Sequence, residues 1–249
     1  MKRIRSTAAV LLVILAIAGS FSAWAAELPE LHAKALEKHA QNADTVGWLQ
    51  VPGTRIDDVV LQYTGDSNQY YLRRGFDGSN DMNGSLFADY RCDFPGTGSA
   101  GLSMNTVIYG NSMSNDPEGA GLSGIKYYQY DDFAAENPYI YFATTNETFA
   151  WEVFAVAVVQ IDLPYNRPDL DPDAILDAVD TLRAGNIHSH LDGITVDAQD
   201  KILTLSTPDY SITSSYPGDY RFVVMAKLVD DTQDEAASPN ENPGTGRPC

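Results

Sequence analysis

The sequence predicts a mainly β domain, a closed barrel or a sandwich of about eight strands. Three observations carry this. From Val46 onward, β-rich runs recur at short spacing. Gly, Pro, Asn and Asp mark the turns between them. Hydrophobic residues make up 44% of the 249-residue chain, enough for a core of ordinary size.

The strands read in order as VGWLQV, IDDVVLQY, MNGSLFADY, NTVIYG, YIYFAT, TFAWEVFAVAVVQI, KILTLST and YRFVVMAKLV. Ahead of them, residues 27–43 are rich in helix formers, with Leu28, Leu31, Ala35 and Leu36 at helical spacing. Two helices interrupt the β pattern. Lys126 to Asn137 reads as one short helix stopped by Pro138. The other starts at Asp171-Pro172-Asp173, with Asp at the N-cap and Pro in the first turn, and stops at Gly185. Asp169, Asp171 and Asp173 lack the Gly and Glu of a calcium loop, so capping explains them.

Residues 1–26 join a basic start (Lys2, Arg3, Arg5) to an apolar run and the small-residue sequence Ala23-Trp24-Ala25. A cleaved signal peptide and an uncleaved membrane anchor fit equally well. In both cases the folded part, 44–229, is expected to be exported, touching a membrane only through the N-terminal segment. Residues 230–249 are acidic, Pro-containing and without large apolar side chains, the composition of a flexible tail.

The formal net charge of −18 argues against nucleic acid as a partner, because phosphate binding draws on clustered Lys and Arg. Two cysteines form neither a disulfide framework nor a zinc pattern, and the pairing of Cys249 stays open. His188 and His190 have metal-like spacing, but no carboxylate or Cys cluster completes that site, so they read as an exposed loop pair. No metal or other cofactor is expected. His32 and His39 are expected to face solvent.

Several stretches resemble the class B sortases, cysteine transpeptidases that attach proteins to Gram-positive cell walls. They are Asp44–Leu49 with Val51–Thr54, Tyr70–Leu72 with Phe76–Gly78, Gly84–Arg91, Asn105–Gly110, Asn137–Tyr141, Asp200–Thr207 and Arg221–Val224. The resemblance implies a closed eight-stranded barrel with an N-terminal helix and a helix in the long connection before the last two strands. It also implies a site built from Cys, His and Arg. At the Cys position stands Pro208 and at the His position Asn111; only the Arg position is filled, by Arg221.

Proline has no nucleophile and asparagine does not titrate near neutral pH, so the family's acyl transfer loses both its attacking group and its base. The resemblance places Tyr109, Ser206 and Thr207 beside these positions as candidate substrate-binding residues. The expectation is an extracytoplasmic sortase-like protein, inactive as a transpeptidase, whose groove binds a sorting-signal peptide, a pilin or an active sortase. Two other readings stand beside it: an enzyme using Cys92 as nucleophile, and a structural surface module. An ordinary ion pair would also explain Arg221.

Overall fold

A computed structural model describes residues 28–95, 101–169, 171–212 and 218–229. The expected leader (1–26) and tail (230–249) lie outside the described residues. Eight strands close into a barrel: β1 (Thr45–Gln50), β2 (Asp57–Leu61), β3 (Leu86–Ala88), β4 (Asn105–Tyr109), β5 (Tyr139–Thr144), β6 (Thr148–Gln160), β7 (Ile202–Asp209) and β8 (Tyr220–Leu228). The order around the barrel is β1-β2-β3-β4-β7-β8-β6-β5. Neighbours are antiparallel except β2 with β3 and β4 with β7. Closure removes exposed sheet edges. All eight runs read from the sequence are strands.

Alternation sorts the side chains. Phe222, Val224 and Ala226 of β8 enter the barrel core with Leu203 and Leu205 of β7. Val223 and Met225 point outward and pack under α3 (Pro172–Arg183). Ile175, Val179 and Leu182 of α3, spaced four and three apart, cover that outer face. Full burial of such a side chain contributes about 1.5–3 kcal/mol. Asp171 caps α3 as expected, its carboxylate accepting from Ala174 N at 2.9 Å. The helix ends at Arg183, just before Gly185.

Residues 28–41 form α1. Leu31 and Ala35 pack on Tyr141, Ala143 and Ala150, whereas Leu36 is exposed. His39 is exposed as expected, whereas His32 is half-buried. Their ring nitrogens meet the carbonyls of Thr145 (3.0 Å) and Thr45 (2.8 Å) and pin α1 to the barrel.

One helix differs from expectation. In place of a single helix over Lys126 to Asn137 there is a 3-10 segment, Gly121–Gln129, followed by α2 (Asp131–Glu136). Tyr130 between them is extended (φ −95, ψ 126). The break lets Leu122, Ile125 and Tyr128 bury at the three-residue spacing of a 3-10 turn.

Candidate functional site

Three strand ends meet at one end of the barrel. The parallel β4–β7 ladder finishes with Tyr109 opposite Ser206. Beyond it, Thr207 Oγ1 donates to Gly110 O at 2.8 Å, and Gly110 N donates to Ser206 O at 3.4 Å. Across the other edge of β7, Pro208 lies opposite Arg221 of β8. Asn111, Pro208 and Arg221 therefore sit on adjoining strand ends, with Tyr109, Ser206 and Thr207 among them.

Arg221 shares the outward parity of Val223, and residues directly opposite in an antiparallel pair share a face. Pro208 and Arg221 thus both look outward, and both are half-buried. Arg221 Nη1 donates to the carbonyls of Gly218 (3.0 Å) and Tyr220 (2.8 Å). Tyr165, carried by the short 3-10 turn Pro164–Asn166, brings its hydroxyl within 3.0 Å of Ser206 Oγ. Burial pushes the Tyr165 phenol up, opposed by the Ser206 hydrogen bond and the positive charge of Arg221.

Proline is tolerated at 208 for a local reason. Ser206 turns its carbonyl toward Gly110, so alternation turns the Pro208 nitrogen to the same side. The β4–β7 ladder has already ended there, and no ladder bond is lost.

Asn111 is 3% exposed, and its amide is fully engaged as a donor. Nδ2 donates to Leu72 O (2.6 Å) and Asn83 O (2.9 Å), tying two loops to the end of β4. Its main-chain carbonyl accepts from Leu122 N at 3.0 Å. Glycines let these backbones approach: at Gly121 (φ +65) a Cβ would lie 2.5 Å from Asn111 O, and at Gly84 (φ +66) 2.6 Å from Leu72 O. The Asn111 Oδ1 is buried without a donor among the described residues.

Two polar networks beside the site were invisible in the sequence. Asp89, wholly buried, takes a bidentate bond from Arg91 (Nε and Nη2, both 2.8 Å), one from Asn68 (2.8 Å) and one from the Tyr109 hydroxyl (3.1 Å). Burial pushes the Asp89 carboxyl up, but Arg91 and Asn68 outweigh it and hold the group below the usual carboxylate range. The Tyr109 phenol is raised by burial and by the Asp89 charge, so it acts here as a donor.

The second network centres on Lys126, 1% exposed. Its Nζ donates to Ser112 Oγ (2.9 Å), Ser114 O (2.7 Å) and Asn115 Oδ1 (2.8 Å), below the Tyr210 ring. Burial pushes this amine down to about 8, with the charge of Asp209 opposing. The Ser112 hydroxyl donates to Ser114 O and is wholly buried, so it is not placed to attack a ligand. No spacing rule marks a buried Lys within Gly-Ile-Lys-Tyr-Tyr; only the packing of the segment does.

Cys92 is 6% exposed. Its sulfur accepts from Val107 N at 3.4 Å and faces the carbonyls of Asn105 and Val107. Burial pushes the thiol up to about 12, the opposite of an activated nucleophile. The histidine pair needs a correction: a carboxylate does accompany it. Asp131, distant in sequence, reaches both His188 and His190.

The closed eight-stranded barrel matches solved sortase B structures. Sortase B of Listeria monocytogenes serovar 1/2a is 29% identical over 189 residues, covering 76% of this chain and 71% of the relative. A mutant form of Clostridium perfringens sortase B superposes with TM-score 0.67 at 26% identity, over 81% of this chain and 91% of that one. The Staphylococcus aureus sortase B–substrate complex shares the fold, with TM-score 0.66 at 24% identity over 81% and 87% of the two chains. No family model matches the chain. Over about three quarters of its length the chain is similar to class B sortases in sequence and in fold.

Proposed function

We propose that this protein is an exported, cell-surface member of the family that binds a sorting-signal type peptide and does not cut it. The observation that carries the reading is the Pro208–Arg221 pair, with Asn111 buried beside it. A guanidinium is present to bind a peptide carbonyl, but no thiol and no imidazole stand at the two positions where the resemblance would put them. The S. aureus sortase B of the same fold was solved as a complex with substrate, which supports a peptide as the ligand class. A pilin or an active sortase carrying such a segment is a partner of the same chemistry. The raised, buried thiol of Cys92 favours this reading over a displaced nucleophile.

The test has two arms. A panel of sorting-signal peptides with an amine acceptor gives no product above a heat-killed control; turnover overturns the assignment. Fluorescence anisotropy with the same peptides gives saturable binding that Arg221→Ala weakens by about tenfold, the loss of one charge-assisted hydrogen bond. Absence of binding to every peptide leaves the barrel as a scaffold and refutes the proposal.

A further inference from the structure

Asp131 opens α2 in the β4–β5 connection, whereas His188 and His190 lie in the β6–β7 connection. Their side chains converge on one point. Asp131 Oδ1 is 3.1 Å from His188 Nδ1 and 3.0 Å from His190 Nδ1. One ligand atom from each residue lies within 4.8 Å of the other two. Zinc bond lengths near 2.0–2.1 Å put adjacent ligand atoms of a tetrahedral centre roughly 3.3 Å apart, close to these separations.

The tautomer of His188 supplies a second, independent observation. Its Nε2 lies 2.5 Å from the Tyr128 carbonyl. A carbonyl only accepts, so Nε2 carries the proton, and in the neutral ring Nδ1 is a lone pair. That lone pair, on a ring 5% exposed, faces a carboxylate oxygen that is also an acceptor. Two acceptors at this distance require a positive centre between them: a second ring proton or a metal ion. An imidazole N–H held by a carbonyl is how proteins orient a ligating histidine.

The loop is also held in place. Asn186 Nδ2 donates to His188 O (3.1 Å) and Asp192 Oδ1 (2.9 Å). Asn186 Oδ1 accepts from Val156 N (3.0 Å), and Ile187 N donates to Val156 O (3.0 Å). The histidine segment is thereby fixed to β6 before any ion arrives, which lowers the ordering cost of binding.

We propose that Asp131, His188 and His190 bind one divalent transition-metal ion, zinc by preference. The ligands are Nδ1 of each ring and a carboxylate oxygen, with a further position left for water or another donor. Two imidazoles with one carboxylate suit zinc and its neighbours and do not suit calcium or magnesium, which take oxygen shells. The ion would cross-link the β4–β5 and β6–β7 connections. None of the three ligands is a residue that the peptide-binding reading uses, so the fate of this proposal does not depend on that reading.

The experiment is calorimetric titration of the chelator-treated full-length chain with zinc chloride, paralleled by the visible spectrum of added cobalt(II). Expected are one equivalent of zinc bound, intense tetrahedral-type cobalt bands, and a thermal midpoint raised by the metal. Asp131→Ala and His190→Ala, both at exposed side chains, weaken binding at least about tenfold, the loss typical of even a supporting residue at a metal site. No uptake, meaning an imidazolium–carboxylate pair only, overturns the proposal. So does zinc binding of unchanged affinity in both variants, which would put the ion on other groups of this acidic chain.

Discussion

Pro208 and Arg221 are direct partners across the β7–β8 ladder, on the outward face of the barrel and within one strand end of Asn111. A cation and a rigid, donor-free ring thus stand side by side where the family resemblance would put a guanidinium and a thiol. The same strand ends carry a guanidinium, a proline and a buried amide.

Accessibility separates the two cysteine questions. Cys92 resists iodoacetamide in the native protein and reacts only after unfolding, because it is buried and its thiol is pushed up to about 12. In Pro208→Cys, the introduced thiol at the half-buried position is alkylated first. Mass spectrometry of tryptic peptides decides; prompt native labelling of Cys92 would restore it as a candidate nucleophile.

Asn111→Ala leaves the carbonyls of Leu72 and Asn83 without their side-chain donor. The expected cost is about 1–3 kcal/mol, read as a lower urea midpoint with unchanged slope. A change within experimental error would mean that the two loops hold without this amide.

Asp89→Asn is expected to destabilise at neutral pH by about 1.5–3 kcal/mol, the range for a hydrogen bond to a charged group. The folded carboxyl lies below its usual 3.8, so its contribution is complete above that value and is lost as pH falls through the folded one. Urea unfolding of both proteins at pH 7 and in strong acid should show the gap closing. A gap that is independent of pH would contradict the Asp89–Arg91 account.

Lys126 should titrate near 8 rather than at its usual 10.5. Between these values the unfolded chain holds more protons than the folded one, so this residue's contribution to stability rises with pH. Carbon-13 shifts of the lysine side chain report the midpoint, and Lys126→Met removes the signal. A midpoint above 10 would show that its three acceptors and Asp209 outweigh burial.

Period and punctuation were enough for the eight strands, α3 and its Asp171 cap, because alternation, turn residues and capping act over a few neighbours. The family resemblance further marked Asn111, Pro208 and Arg221 as positions to compare. Local pattern could not show that the segment from Gly121 to Glu136 breaks at Tyr130, since that depends on which side chains the barrel wall accepts.

The strand set, the net acidity and the residue types at the three aligned positions are all legible along the chain. Folding alone brings Asp89 to Arg91 and Tyr109, buries Lys126 among Ser112, Ser114 and Asn115, and sets Asp131 against two histidines from another connection. The difference is one of range. Propensity and periodicity are properties of neighbouring residues, whereas hydrogen-bond partners and charge environments are set by barrel closure, which joins segments far apart along the chain.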